Sequence, residues 1–455
     1  MIGRDGLLSP LVEALRDAPA DEAELWVSRR VAAITRYSHD SIHQNALFDE
    51  THVHARAVVG RATGIATRNA TDLAGLRALV ADAAKLARLQ PPNEEWPGVA
   101  EPATYAPAHA YDEATARLDP AEQAAAVGVI AAAAAARRLR AAGTHQLELR
   151  EDAVANTRGV AAYAPSTLAY VRALVLGPEG GSGYADHLSA RASELDSAGV
   201  AARDAEKCER DRGRRELEPG EYEAVFEELA VAEILRVLSL HGLGAQALRE
   251  GRSFMTGRVG EQVTGPLFTL HDDALDPRQL GVPFDIEGTP KARVALVERG
   301  IARGPVYDRA SAKALGAAST GHAADRSRYP LGGHAGNLVM GGGEAATSDL
   351  VGSVRRGVLI TRFHYTNVPE PKTATMTGTT RDGTFLIERG RIAGALANVR
   401  YTMSSLDLFA GIELLGPQRL VRDWWSTNGM GQVVCLAPAM KVARATITGS
   451  SPASR

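Results

Sequence analysis

Residues 219–263 read PGEYEAVFEELAVAEILRVLSLHGLGAQALREGRSFMTGRVGEQV, and the middle of this segment has the apolar spacing of an amphipathic helix. The pattern closes at Gly242 and Gly244, residues that often follow a helix C-terminus. The apolar positions are Leu229, Val231, Ile234, Leu235, Leu238 and Leu240. We therefore predict a central helix over residues 228–241.

The predicted helix lacks the residues of a helical zinc protease. Such a helix carries two His on adjoining turns with a Glu beside the first, because two imidazoles must reach one ion and the carboxylate must reach its water. Only His241 is present, and Arg236 and Val237 occupy the earlier turn. A guanidinium ~5 Å from a divalent cation costs on the order of 6–7 kcal/mol at an effective dielectric of ~20, and Val237 cannot act as a base. We predict a degenerate metal helix.

Two interpretations of His241 remain open: a surviving metal ligand, or a polar residue at the helix end that forms a local hydrogen bond or faces another subunit. We prefer the second, because zinc needs three or four ligands and a catalytic zinc also needs an open position. In a further interpretation, Arg236 replaces the lost cation and holds nearby carboxylates in place.

Length and composition indicate a globular protein with two separate cores. The chain has 455 residues, of which 45% are hydrophobic and 23% charged, and a single core stops growing near ~250–300 residues. A net charge of −3 gives no basic field for nucleic acid or an anionic membrane. Two cysteines fit a reducing cytoplasm, and we expect neither a signal peptide nor a membrane span.

The charged run CERDRGRRELEPG marks a domain boundary near residues 214–219. Before it, strand-like segments alternate with predicted helices at 8–18, 71–89 and from Asp119 to Gly143, the last opened by the cap Asp119-Pro120-Ala121-Glu122. Helical segments are also predicted within roughly 187–213. After the boundary, alternating apolar residues and turn dipeptides predict many strands. The sequence thus predicts an α/β domain over 1–215 and a β-rich domain over 216–455.

Three blocks of sequence resemble the TldD/PmbA family of zinc-dependent peptidases. They are TRYSHDSIHQNALFDE (35–50), FDIEGTPKARVALVERGIARGPVYDR (284–309) and RRGVLITRFHYTNVPEPKTATMTGTTRDGTFLIERGRIAGALANVRYT (355–402). Catalytic subunits of that family carry a His-Glu-x-x-x-His motif, and the positions from Arg236 to His241 lie on it with only the last one matching. The pattern is similar to the TldE-type subunit, which lacks the metal motif.

The resemblance implies an α+β fold. Its N-terminal α/β domain would have a mixed sheet and packed helices. Its C-terminal β-rich domain would be barrel- or sandwich-like, metallopeptidase-like, and would carry the central helix.

The resemblance also implies a function. The chain would be the non-catalytic subunit of a heterodimeric zinc peptidase or amide hydrolase, and it would hold no cofactor of its own. A TldD-like paralogue would bring zinc. This chain would shape the substrate chamber for peptide maturation or for an amide-containing small molecule. The alternatives are a stand-alone homo-oligomeric metallohydrolase and a non-hydrolytic regulatory adaptor.

Histidines and cysteines give weaker candidates. His52 and His54 leave the same face of a predicted strand, and with two more histidines nearby in sequence, His39 and His43, they could form a cation site. We prefer a polar sheet face. Family members supply a zinc-ligand Cys in the C-terminal region, but there the Cys precedes a Gly-rich turn. Cys435 follows Gly429 and Gly431, so we interpret it as a small buried thiol.

Two polar segments complete the list of candidates. The Gly-rich residues 332–344 lack the Lys-Ser/Thr of a phosphate loop, and we predict a mobile loop whose backbone approaches a neighbour closely, beside a β edge that could admit a peptide. The densest polar-aromatic cluster is a candidate substrate-binding site or a solvent-exposed strand end. Its members are Arg362, His364, Tyr365, Thr366 and Asn367. No nucleophile-elbow motif is present.

Overall fold

The computed structural model describes residues 1–39, 41–178, 180–325, 332–423 and 433–450. In the described residues, the first half of the chain forms one sheet and four α-helices. These elements are α1 (Arg4–Leu15), β1 (Glu22–Ser38), β2 (Ser41–Val59), β3 (Ala62–Arg68), α2 (Leu73–Ala87), α3 (Pro120–Ala136), β4 (Arg140–Asn156), β5 (Ala161–Leu176), β6 (Ser182–Ser189) and α4 (Ser197–Arg210).

The second half forms one large sheet and five helices in the described ranges. These elements are β7 (Gly220–Phe226), α5 (Glu228–Gly242), α6 (Ala245–Arg249), β8 (Leu270–Asp272), β9 (Val294–Glu298), β10 (Ile301–Ala302), α7 (Arg309–Ala314), β11 (Asn337–Met340), α8 (Thr347–Gly352), β12 (Arg356–Glu370), β13 (Thr375–Glu388), β14 (Arg391–Ala395), β15 (Val399–Ser404), α9 (Ser405–Ala410), β16 (Ile412–Arg422) and β17 (Val434–Ser450).

The N-terminal sheet has the order β3-β2-β1-β4-β5-β6, and its strand pairs are antiparallel. Hairpins join neighbouring strands on each side, which favours antiparallel pairing. Mixed pairing lies instead in the C-terminal sheet, where β7–β12 and β11–β17 are parallel. The predicted α+β fold is confirmed, with the mixed sheet in the second half of the chain.

Side chains on the two faces of the N-terminal sheet have different neighbours. Leu25, Val27 and Tyr37 alternate along β1 on one face and pack into clusters with the four helices. Trp26 lies on the other face, in a cluster that includes Phe284 from the second half of the chain. The sheet therefore lies between a helical layer and the C-terminal region.

Buried charges also join the two halves of the chain. Arg56 Nη1 lies 3.1 Å from Glu24 Oε1 and 2.7 Å from Glu287 Oε1, and the Arg56 guanidinium stacks over Trp96. Burial raises the pKa of Glu24 to about 7, although the charge of Arg56 opposes this shift. The positive charge of Arg56 thus reduces the repulsion between two carboxylates, one from each half of the chain.

The C-terminal sheet closes on itself. Its order includes β17-β15-β13-β12-β7, and β7 also pairs with β17, so these five strands form a ring. The long β17 additionally pairs with β11 and β16. This geometry agrees with the predicted barrel-like domain, and α5 packs against β12, β16 and β17.

Helix starts were easier to predict than helix ends. The Asp72 and Asp119 side chains accept hydrogen bonds at 2.9 Å and 2.8 Å from amides in the first turns of α2 and α3. The predicted end at Gly143 is wrong, because α3 ends at Ala136 and Gly143 lies inside β4. A Cβ at Gly143 would lie 2.1 Å from the Arg172 carbonyl oxygen, so this glycine permits close strand pairing.

The segment predicted to hold helices at 187–213 begins as a strand. β6 runs from Ser182 to Ser189, and α4 begins only at Ser197 after the cap Asp196. Nearly every residue of β6 is buried, so the strand lacks the polar alternation that would mark it in sequence. The predicted division at residue 215 stays a prediction.

Asp204 gives a pH-dependent test of the helical layer. Its side chain is fully buried on α4, and this burial raises its pKa to about 7. Between pH ~4 and about 7, the folded chain therefore keeps a proton on Asp204 that the unfolded chain has released. The contribution of Asp204 to the free energy of unfolding should thus fall as the pH rises through this range. Asp204→Asn should remove a decline on the order of 2–4 kcal/mol.

Urea unfolding of the wild type and Asp204→Asn between pH 4.5 and 8 measures this difference. The exposed Asp17→Asn is the matched control and should follow the wild type at every pH. A constant difference between the wild type and Asp204→Asn would contradict a buried titrating carboxyl.

Candidate functional site

Helix α5 spans Glu228–Gly242, as the apolar spacing predicts, and most of its residues are buried. Two of the buried residues carry ionisable groups, Glu233 and Arg236. They lie three residues apart on one helix, so both side chains leave the same face. The site is built around this pair.

Arg236 forms a buried ion pair with Asp423, a residue 187 positions later in the chain. Its Nε lies 2.8 Å from Asp423 Oδ2, and the two side chains are 9% and 1% exposed. The two atoms are close enough for an ion pair, but the Nε–H group of Arg236 is not aligned for a hydrogen bond. Removal of either partner would leave a buried charge without its counter-charge.

Glu233 belongs to the same cluster. Burial raises its pKa to about 7, and the nearby Asp423 carboxylate raises it further, whereas Thr366 and the charges of Arg236 and Arg362 oppose the shift. The Thr366 hydroxyl donates to Glu233, and this hydroxyl also lies 2.7 Å from the Tyr401 hydroxyl. The carboxyl of Glu233 is thus engaged inside the protein.

The residues on α5 do not fit a zinc ion. Arg236 holds a permanent positive charge inside the cluster, and Val237 is an apolar side chain that is only 2% exposed. Among the described residues, no group of three or more His, Cys, Asp or Glu is placed to hold a metal ion. A zinc ligand set would need three such groups around one point.

His241 lies in the last turn of α5 and is partly exposed. Burial lowers its pKa, and the charges of Arg236 and Arg252 lower it further. Both effects favour the neutral form of the imidazole. The two charged neighbours of His241 are thus cations. A histidine that binds a metal is instead commonly oriented by a carboxylate or a carbonyl group.

The two cysteines are buried free thiols. Burial raises the pKa of Cys435 well above its usual range, and the charges of Asp423 and Asp272 add to the shift while Arg236 opposes it. Cys435 therefore lies close enough to the α5 cluster to sense the charges of Asp423 and Arg236. The glycines of the register comparison, Gly429 and Gly431, lie outside the described residues.

A buried His–Asp pair lies in the same region and was missed in the sequence. His322 Nε2 is 2.8 Å from Asp272 Oδ1, and its Nδ1 is 2.8 Å from the Thr320 carbonyl oxygen. Both ring nitrogens are engaged in the core, which describes a structural histidine. The two residues are 50 positions apart, so no local motif could reveal the pair.

The predicted polar cluster on β12 is divided between the interior and the surface. Arg362 is buried, with its Nε 2.9 Å from Asp382 Oδ2 and its guanidinium 4.7 Å from the centre of the Tyr184 ring. Thr366 points inward to Glu233. His364 is partly exposed, and Tyr365 and Asn367 are exposed, so the five residues do not form one continuous lining.

The outward members of the cluster surround a β-bulge. The pairing of β12 with β13 shifts between His364 and Asn367, and Tyr365 has a φ of 53°. The Tyr365 side chain is 61% exposed, and Asn367 Nδ2 donates to the Tyr365 carbonyl oxygen at 2.9 Å. The Arg381 Nη1 lies 2.9 Å from His364 Nε2. A non-glycine residue in the left-handed region is a strained feature of the kind found at functional sites.

The four histidines near the N-terminus do not form one site. His43 and His52 are nine residues apart on β2, which separates them by about 30 Å along a strand. His54 is buried, and burial lowers its pKa to about 4. His39 lies in the turn before β2 and is exposed. The interpretation of these histidines as a polar sheet face fits this placement better than a cation site does.

Four of the Gly-rich residues 332–344 form the strand β11 (Asn337–Met340), so the segment is not one continuous loop as predicted. β11 pairs with β8 on one side and β17 on the other, which leaves no free edge for a peptide at this strand. The predicted close backbone approach is present after β11. A Cβ at Gly343 would lie 2.4 Å from the Leu415 carbonyl oxygen, so this glycine permits the contact with β16.

No helix in the described residues is long and apolar enough to cross a membrane.

Comparison with known proteins places this geometry in a family. Residues 219–449 match the PmbA/TldA metallopeptidase C-terminal domain. A metalloprotease TldD homologue of Haemophilus influenzae is 28% identical over 218 residues, which cover 46% of this chain and 45% of the relative. A TldD homologue of Buchnera aphidicola is 28% identical over 217 residues, 46% of this chain and 44% of the relative. The chain thus matches less than half the length of these relatives.

Solved structures share the fold over nearly the whole chain. TldE from Thermococcus kodakarensis superposes with a TM-score of 0.87 and 20% identity, over 97% of this chain and 100% of that chain. A protein from Thermotoga maritima described as a putative modulator of a DNA gyrase superposes with a TM-score of 0.81 and 18% identity, over 94% of this chain and 96% of that chain. The resemblance predicted from sequence is confirmed, and the chain belongs to the PmbA/TldD metallopeptidase family, with a TldE-like fold.

Proposed function

We propose that this chain is the non-catalytic, TldE-like subunit of a heterodimeric zinc peptidase or amide hydrolase. The observation that carries the proposal is the buried ion pair between Arg236 and Asp423. Arg236 lies on α5, at the position where a metallopeptidase of this family needs its first metal ligand. A cation held there by a carboxylate opposes the binding of a second cation. In this proposal, zinc and the general base belong to a TldD-like paralogue.

The role left to this chain is to shape the substrate chamber and to support the site of the partner. The outward part of the β12 bulge supports this role, because Tyr365 presents an aromatic ring and a hydroxyl to the outside. The neighbouring Asn367 is exposed as well. Such a surface suits a peptide or an amide-containing small molecule, which offers apolar groups and hydrogen-bonding groups together.

Metal analysis of the purified chain and of its complex tests the proposal. The chain alone should contain no stoichiometric zinc and should cleave no peptide, because α5 lacks two of the three motif groups. A one-to-one complex with a paralogue that carries the intact His-Glu-x-x-x-His motif should contain one zinc and lose its activity to a chelator.

Two results would contradict the proposal, and each favours a different alternative. Stoichiometric zinc with chelator-sensitive activity in the chain alone indicates a stand-alone metallohydrolase. A stable complex with an unrelated protein, without hydrolysis, indicates a regulatory adaptor.

Arg236 variants test whether the guanidinium stabilises the carboxylates that surround it. Arg236→Ala should lower the free energy of unfolding by about 3–5 kcal/mol, because the buried Asp423 carboxylate loses the counter-charge that Arg236 supplies. Arg236→Lys should recover part of this loss, since it restores the charge without the planar guanidinium. Urea unfolding of the three proteins at pH 7.5 measures the difference.

Arg252→Ala is the matched control, because Arg252 pairs with the exposed Glu250 and such pairs contribute at most about 1 kcal/mol. An Arg236→Ala variant as stable and as well assembled as the wild type would remove the idea that the arginine replaces a cation.

Tyr365 variants test the substrate-facing role of the bulge. In the reconstituted complex, Tyr365→Ala should reduce kcat/KM for a peptide roughly 10-fold, which corresponds to the loss of about 1.4 kcal/mol of transition-state binding. Tyr365→Phe separates the ring from the hydroxyl, since it keeps the first and removes the second. Unfolding curves should stay close to wild type, because the side chain is exposed. Unchanged kinetics for Tyr365→Ala would exclude this side chain from the chamber.

A further inference from the structure

Strand β2 has a long edge that no described strand covers. β3 pairs with β2 only from Val53 to Val59, and β1 occupies the opposite side of β2 along its length. The segment Ser41–His52, here called the free edge, therefore presents unpaired backbone groups. The other end of the same sheet is β6, whose residues are mostly buried.

The free edge also exposes large apolar side chains. Leu47 is 67% exposed, Ile42 is 42% exposed and Phe48 is 39% exposed. Natural proteins protect such edges with lysine, proline or a covering element, and the free edge contains neither lysine nor proline. A strand of this kind is suited to pair with another chain.

The charges of the free edge are already neutralised within the chain. Arg29 Nη2 lies 2.7 Å from Asp49 Oδ2, and Arg30 Nη1 lies 3.4 Å from Glu50 Oε2. Two such edges can therefore approach without like-charge repulsion from these carboxylates.

We infer that the free edge pairs antiparallel with the same edge of a second copy of this chain. A two-fold axis perpendicular to the sheet keeps every side chain on its own face, so even-numbered residues lie opposite even-numbered ones. An axis at Asn45 places Ile42 of each strand opposite Phe48 of the other, and His43 opposite Leu47. Because of the two-fold symmetry, the pair of Ile42 and Phe48 forms twice across the interface, and so does the pair of His43 and Leu47.

The length of the edge supports a second copy as the occupant. In this register Ser41–Asp49 pairs with its symmetry mate, and the ladder of about 30 Å ends before β3 begins to cover β2. The interface joins two N-terminal sheets into one continuous sheet. It uses residues outside the α5 site, so it does not depend on the proposed function.

Analytical ultracentrifugation of the 455-residue chain and of two charge variants tests the interface. The wild type should be a dimer at micromolar concentration, and Phe48→Lys should weaken dimerisation roughly tenfold or more, because it disrupts two symmetry-related pairs. Ile65→Lys is the matched control. Ile65 is an equally exposed isoleucine at 41% on β3, outside the free edge, and its variant should dimerise like the wild type.

A cysteine at the axis tests the register. Asn45→Cys should form a disulfide-linked dimer under mild oxidation, because residues opposite each other in antiparallel strands have Cα atoms about 4.5–5.5 Å apart. Ile65→Cys should not cross-link, and the native cysteines Cys208 and Cys435 are buried. Thermal unfolding of each variant confirms that it is folded.

Three results would overturn the inference. One is a wild-type monomer at tens of micromolar. Another is a dimer that resists Phe48→Lys and shows no cross-link through Asn45→Cys. A third is a cross-link from Asn45→Cys only to a motif-bearing paralogue, which would assign the free edge to the heterodimer instead of a second copy.

Discussion

The buried positive charge of Arg236 is the constraint around which the C-terminal region is arranged. A guanidinium cannot lose its proton in a protein interior, so the surrounding structure must supply acceptors and counter-charge. Asp423 supplies the counter-charge from the end of β16, and Glu233 lies close enough for the charge of Arg236 to lower its pKa. A divalent metal ion at the same position would make a similar demand for carboxylates.

The same cluster links the helix to the strand beside it. Thr366 bonds to Glu233 from β12, and its neighbour Tyr365 is held outward in the left-handed conformation. The buried contact with Glu233 thus fixes Thr366 on the inner side of the bulge, while the preceding residue, Tyr365, faces solvent. In physical terms, α5 and the polar strand β12 form one unit, although they lie far apart in the sequence.

The sequence predicted those features that depend on neighbours along the chain. The apolar spacing located α5, and the cap at Asp119 located the start of α3. It failed where tertiary contacts decide the outcome. Gly143 resembles a helix stop but lies in a strand that needs a glycine for close pairing. The partner of Arg236 lies 187 residues away, and the pair of His322 and Asp272 spans 50 residues, so neither could be read from local spacing.

The position of β17 has a consequence for folding of the nascent chain. Gly220 at the start of β7 pairs with Ile447 near the end of β17, and the ring of five strands closes only through that pairing. The N-terminal sheet needs no strand beyond β6, so it can form while the ribosome is still producing the rest. The closed sheet must instead wait for the last strand, and loops of more than two hundred residues make such closure slow. Until β17 has been made, β7, β11, β15 and β16 lack the strand with which all four pair. Chaperones can then bind the apolar faces of these strands.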